Sequence, residues 1–164
     1  MSFPRPSRAE TLRTVVATLD RRVDGTVPHD VPGLRDAFPD DLDLVGVLLL
    51  RWSARLTGAL DRSLSRPTAD RRAAVCEAWS QTAEQLPGVR RLLDDLLADP
   101  TTGDALRDML LRARDIERRR LTEAAGLADQ DRGQALETGR RLEQAARSQV
   151  RPRLADRLRS LLPA

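Results

Sequence analysis

The chain of 164 residues has one histidine, one cysteine, no tyrosine and no lysine. These absences remove most of the side chains that serve as nucleophile, general base or metal ligand. A lone Cys76 excludes an intramolecular disulfide framework and fits a reducing compartment. With His29 as the only imidazole, neither paired E-x-x-H motifs for a di-iron bundle nor H-E-x-x-H for zinc can form. No Walker loop, G-x-G-x-x-G, G-x-S-x-G or C-x-x-C motif occurs. Aromatic residues make up 2% of the chain, so the expected core is aliphatic, with Trp52 and Trp79 as its large pieces. The longest apolar run, Leu44 to Leu50, is closed by Arg51, whereas a membrane span needs about twenty residues. The N-terminus, Met1-Ser2-Phe3-Pro4-Arg5-Pro6, has no apolar segment of the kind a signal peptide carries. Together these features predict a cytoplasmic protein with no membrane insertion, no cofactor and no metal.

Leucine, alanine, arginine and acidic residues at helical spacing fill the rest. Hydrophobic residues make up 40% of the chain and charged residues 32%, and the apolar positions are periodic, which argues against disorder. A chain of this length buries roughly 70% of its unfolded surface and needs no covalent staple. All 28 basic residues are arginine, a bias we read as the mark of a GC-rich bacterial genome, and the formal net charge is +3. Residues 1–104 carry a net charge of −2 and residues 105–164 a net of +5, so an anionic partner would be sought in the C-terminal third.

Ser7 and Glu10 form a capping box, and Leu12, Val15, Val16, Leu19 and Val23 mark the apolar stripe of a first helix that Gly25 should end. Residues 25–39 form a Pro/Gly-rich connector with one helical turn near Leu34 to Phe38. The most hydrophobic helix is predicted over 41–64, capped by Asp40 or Asp41, with Gly46 and Gly58 explained by close helix crossings. Further helices are predicted at about 69–85 (capped by Thr68), 87–98, 103–125 and 129–150. Pro152 should kink or restart the last of these, leaving a short terminal helix with Leu154, Leu158, Leu161 and Leu162 along one side. No alternating β-branched run suggests a strand. The predicted fold is therefore all-α: a single-domain bundle of five to seven helices with short loops over 1–164, preceded by a disordered residue 1–6 tail.

Several residues carry candidate chemistry. His29 beside Asp30 has the makings of an oriented base, yet no nucleophile or second ligand accompanies it, and an exposed loop histidine is the simpler reading. Cys76, near Trp79 on one helix, reads as a core thiol. The acidic groups Asp40, Asp41, Asp43 and Asp94, Asp95, Asp99 are explained by capping and solvated faces rather than by a hard cation. Trp52 and Trp79 read as core anchors. An inter-helix pocket near them, with Arg51 or Arg55 as an anion clamp, is a third-ranked option that would make the chain a ligand binder or enzyme. Arg118, Arg119, Arg120, Arg140, Arg141, Arg151 and Arg153 are candidate contacts to nucleic acid, and residues 121–146 have a helix-turn-helix-like pattern. Glutamates interleaved at three- and four-residue spacing offset those arginines, and no aromatics stand among them.

The leading expectation is a non-enzymatic helical module acting by protein–protein contact as an adaptor, regulator or partner subunit. Leu154, Leu158, Leu161 and Leu162 are its candidate docking residues, for a protein partner or a second copy of the chain. Nucleic-acid binding through the Arg-rich C-terminal third is the alternative.

Overall fold

The structure, a computed structural model, describes residues 6–65 and 69–160, with side chains through residue 150. The described residues are all-α, in seven helices: α1 (Arg8–Arg22), α2 (Leu34–Ala37), α3 (Asp41–Leu64), α4 (Arg71–Gln85), α5 (Pro87–Ala98), α6 (Asp104–Ala124) and α7 (Arg132–Ser160). They gather into two compact units, each drawn from two stretches of chain. One comprises residues 1–52 and 86–112, the other residues 53–85 and 113–164. The boundaries fall inside α3 and inside α6, which is why no linker composition marks them in the sequence.

The first unit is built on α1 and α5. Ser7 caps α1 through the complete capping box, its hydroxyl accepting from the Glu10 N–H while the Glu10 carboxylate accepts from the Ser7 N–H. Val15, Val16 and Leu19 face inward with Val31, Leu34, Phe38, Leu44, Val45, Leu48, Trp52, Val89, Leu92 and Leu93. The helix ends earlier than its sequence suggests. Val23, not Gly25, closes α1 in the left-handed region at φ 49°, its N–H donating to the Leu19 carbonyl. A β-branched residue is strained there.

α1 and α5 meet at Gly88. A Cβ there would lie 2.0 Å from the Leu19 carbonyl carbon and oxygen, so only glycine admits the crossing. That approach carries the Asp20 carboxylate to the start of α5, where it accepts from the Gly88 N–H at 2.9 Å. Leu86, the residue before the helix, supplies no side-chain cap of its own, so Asp20 caps α5 from another helix. Burial pushes the Asp20 carboxyl up, and the Gly88 and Val89 N–H groups and then the Arg51 charge hold it partly back. At the other end of α5, Arg107 donates to the carbonyls of Leu97 and Asp99, the orphan acceptors of the last turn.

The second unit holds the ends of α3 and α6 with α4 and α7. α4 and α7 run parallel: Cys76 Sγ donates to the Leu142 carbonyl at 3.5 Å, and one turn later Ser80 Oγ lies 2.9 Å from the Ala146 carbonyl. α6 and α7 run antiparallel, because Thr122 Oγ1 meets the Ala135 carbonyl at 2.7 Å while the Arg118 backbone lies against Gly139. A Cβ at Gly139 would fall 2.2 Å from the Arg118 carbonyl oxygen. Leu56, Leu60, Val75, Cys76, Ala78, Trp79, Leu121, Leu142 and Ala146 make the core.

Several sequence expectations move. The tight helix contacts are at Gly88 and Gly139; a Cβ at Gly46 would only touch Met109 Sδ at 3.8 Å, an ordinary contact, and one at Gly58 would meet a flexible arginine end. Asp40 caps α3, accepting from the Asp43 N–H. Asp70 caps α4, accepting from the Ala73 N–H, and the expected cap Thr68 lies outside the described residues. α7 continues through Pro152 to Ser160, where a separate terminal helix was expected, because a proline removes only one helical N–H and its neighbours can keep the helix together. Residues 1–5 of the expected N-terminal tail lie outside the described residues.

Two stability measurements check this account. Gly88→Ala is expected to cost about 3 kcal/mol in denaturant unfolding, since backbone atoms rather than a movable side chain occupy the site. Val23→Gly is expected to raise stability by about 0.5–1 kcal/mol by relieving the left-handed valine.

Candidate functional site

A cluster of charged side chains in the second unit surrounds Trp79, which is 1% exposed. Its indole N–H donates to Glu117 Oε1 at 2.7 Å, and the Arg147 guanidinium lies over its ring, 4.9 Å from the centroid. Glu143, 5% exposed, accepts from Arg147 at 2.8 Å and from Arg118 at 3.0 Å. Burial alone would push its carboxyl up, but the Arg147 and Arg118 hydrogen bonds and charges outweigh that and hold it below the usual glutamate value. Helical spacing explains the assembly. Arg147 follows Glu143 by one turn of α7, and Gly139, one turn before it, brings α6 close enough for Arg118 to reach. The cluster is internally neutralised, with one carboxylate serving two guanidinium groups and a second capping the indole.

The first unit repeats the theme on a smaller scale. Arg90 lies 4.8 Å from the Trp52 ring centroid and pairs with Asp94 at 2.7 Å. Both tryptophans are therefore core residues roofed by arginine. Trp52 belongs to the first unit and Trp79 to the second. Arg51 acts through its charge on Asp20, and Arg55 is exposed.

Most of the candidate nucleic-acid arginines are either engaged or outside the described side chains. Arg118 is held by Glu143, and Arg120 donates to the Ser53 and Thr57 hydroxyls at 2.8 and 2.9 Å. Arg140 and Arg141 converge on Glu137, whose carboxyl Arg140 foremost, and then Arg141, pull down to about 2. Arg119 is half-buried, and the side chains of Arg151 and Arg153 fall beyond those described. In the region with the helix-turn-helix-like pattern, α6 and α7 form an antiparallel hairpin joined by residues 125–131, a longer connection than the three- or four-residue turn of that motif. The Gly126-Leu127 pair that suggested it closes α6, with the Gly126 and Leu127 N–H groups donating back to the Glu123 and Thr122 carbonyls.

Of the docking leucines, Leu154 and Leu158 lie on α7 beyond the last described side chain, and Leu161 and Leu162 lie outside the described residues. The large exposed apolar residues that the structure does describe were not singled out by the sequence: Leu50 at 70%, Ile116 at 48%, Val23 at 43%, Leu42 at 39% and Leu111 at 38%. Leu50 sits inside the longest apolar run, where hydropathy alone reads as core.

His29 does not pair with Asp30. Asp30 is clamped by both terminal nitrogens of Arg22, which hold its carboxyl at about 2, while His29 faces Arg35 and Asp41. Cys76 is buried, and that burial, with a smaller contribution from Asp70, pushes its thiol up. The acidic residues are accounted for one by one: Asp43 with Arg8, Asp94 with Arg90, Asp95 with Arg91, and Asp99 capping the Thr101 turn. Among the described residues no group of three or more His, Cys, Asp or Glu side chains converges as a metal site. No protein-family model, characterised protein or solved structure matches this chain.

Glu143→Gln tests the cluster. Because the folded-state carboxyl lies below its unfolded value, its contribution is present above the unfolded glutamate value and is lost as pH falls through the folded one. The variant is expected to be less stable by about 2 kcal/mol at pH 7. In unfolding curves followed by tryptophan fluorescence, the gap should narrow as pH falls below the usual glutamate range.

Proposed function

We propose that the chain is a non-enzymatic helical module of bacterial type that works in the cytoplasm by protein–protein contact, as an adaptor, regulator or partner subunit. The observation that carries this reading is Leu50. It stands on a helix otherwise used to build both cores, yet leaves 70% of its surface in water, with Leu42 about two turns away on the same helix also exposed. A leucine side chain in water gains on association what it forgoes in the free protein, and apolar groups on a well-packed helix are the usual anchors of helix-mediated recognition. Among the described residues no helix is long and apolar enough to cross a membrane, so a lipid-spanning role for this leucine-rich helix is not supported.

The charged surface favours protein over nucleic acid. The second unit has the larger share of arginine, but Arg118, Arg140 and Arg141 are already committed to carboxylates. Contact with phosphate would have to break those pairs and then gain more than it lost.

Leu50→Glu is the discriminating variant. An exposed position tolerates it, so unfolding midpoints should stay within about 0.5 kcal/mol of the unsubstituted protein. In affinity capture from the native host, the substitution is expected to abolish recovery of at least one specifically bound protein. An unchanged set of captured proteins would overturn the reading. So would a mobility shift of short duplex DNA or RNA that weakens steeply between 50 and 200 mM salt, which would place the chain among nucleic-acid binders.

A further inference from the structure

His29 is the one side chain here whose class changes charge between about pH 5 and 8, and the fold sets it where three segments meet. Its Nδ1 lies 2.9 Å from Arg35 Nη2 on α2, and its Nε2 lies 3.7 Å from Asp41 Oδ2 at the start of α3. The same Arg35 nitrogen is 2.9 Å from Asp41 Oδ1. A guanidinium only donates, so the Arg35–His29 hydrogen bond requires Nδ1 to carry a lone pair, and the imidazole must be neutral with its proton on Nε2. We propose that His29, Arg35 and Asp41 form a pH-sensitive clasp at the end of the 23–33 connector: neutral His29 accepts from Arg35 on α2, and protonated His29 gives up Arg35 and pairs with Asp41 on α3.

The charges around the clasp give the direction. From α1, Arg22 is spent on Asp30, whose carboxyl stays ionised throughout this pH range and does not compensate His29. From α2 comes Arg35, and from α3 comes Asp41; the neighbouring Asp40 is occupied in capping α3. With neutral His29, Arg35 and Asp41 balance one another. Protonation places a hydrogen on Nδ1 that faces the guanidinium, so two donors and two positive charges meet over one carboxylate. Arg35 then leaves His29, and Asp41 is shared between the imidazolium and whatever hold Arg35 retains. Leu34 and Phe38 remain anchored in the core of their unit, so the consequence is local loosening of the α2 turn, which loses the Arg35 bond, rather than unfolding.

The test is amide hydrogen exchange of the full chain at pH 5 and pH 8, corrected for intrinsic exchange and read at Ala37 and Phe38, whose N–H groups bond to the Gly33 and Leu34 carbonyls. Protection there is expected to fall about 2- to 5-fold at pH 5, the factor an exposed ion pair supports. His29→Gln, whose amide oxygen accepts from Arg35 at every pH, should keep protection at both pH values. His29→Lys, a permanent cation, should show the low-pH protection at both. Equal pH dependence in the unsubstituted protein and His29→Gln, or Arg35 side-chain NMR resonances that do not move as His29 titrates, would overturn the proposal.

Discussion

Two glycines set the terms for everything built around them. Where Gly88 crosses Leu19, and again where Gly139 lies on Arg118, a helix approaches another closely enough that a single methyl group would collide with backbone. Close backbone approach lets side chains reach across. It brings Asp20 of α1 onto the N-terminal N–H groups of α5, which has no side-chain cap of its own. It also brings Arg118 of α6 within reach of Glu143 of α7. In each case a packing constraint becomes an electrostatic arrangement, and the arrangement then stabilises the packing.

An arginine-rich chain without lysine has to dispose of many guanidinium groups that never lose their charge. This fold spends them inside its own architecture. Arg147 and Arg90 roof tryptophans while paired to acids, Arg107 collects carbonyls at a helix end, and Arg120 is held by two hydroxyls. The planar, multi-donor guanidinium suits all of these roles, whereas an ammonium would satisfy fewer acceptors and would roof an indole less well. The surface is consequently poorer in uncommitted charge than the composition implies.

Local signals were legible in the sequence where one segment decides its own conformation. The Ser7–Glu10 box, the start of α5 at Pro87, the stop at Ala98 and the amphipathic stripes of α1, α3 and α5 all follow from nearest-neighbour chemistry. The capping choices among adjacent candidates, Asp40 over Asp41 and Asp70 in the region assigned to Thr68, turned on one or two residues of register that periodicity does not resolve. The candidate chemistry was less legible. His29 stands beside Asp30 in the chain, but Arg22 takes Asp30, and the partners of His29 come from residues 35 and 41. Leu50 lies in the most hydrophobic stretch and still faces water, because hydropathy reports the composition of a run and not which side of it has a neighbour.

By itself the sequence determined the helical class, an aliphatic core centred on two tryptophans and most helix limits, since these depend on interactions within a few residues along the chain. Tertiary structure alone decided that the cores number two, divided within α3 and α6, and that the critical glycines are Gly88 and Gly139 rather than Gly46 and Gly58. It also decided which carboxylate each arginine holds. Those outcomes depend on distances between segments far apart in sequence, and a helix carries no local record of what will be laid against it.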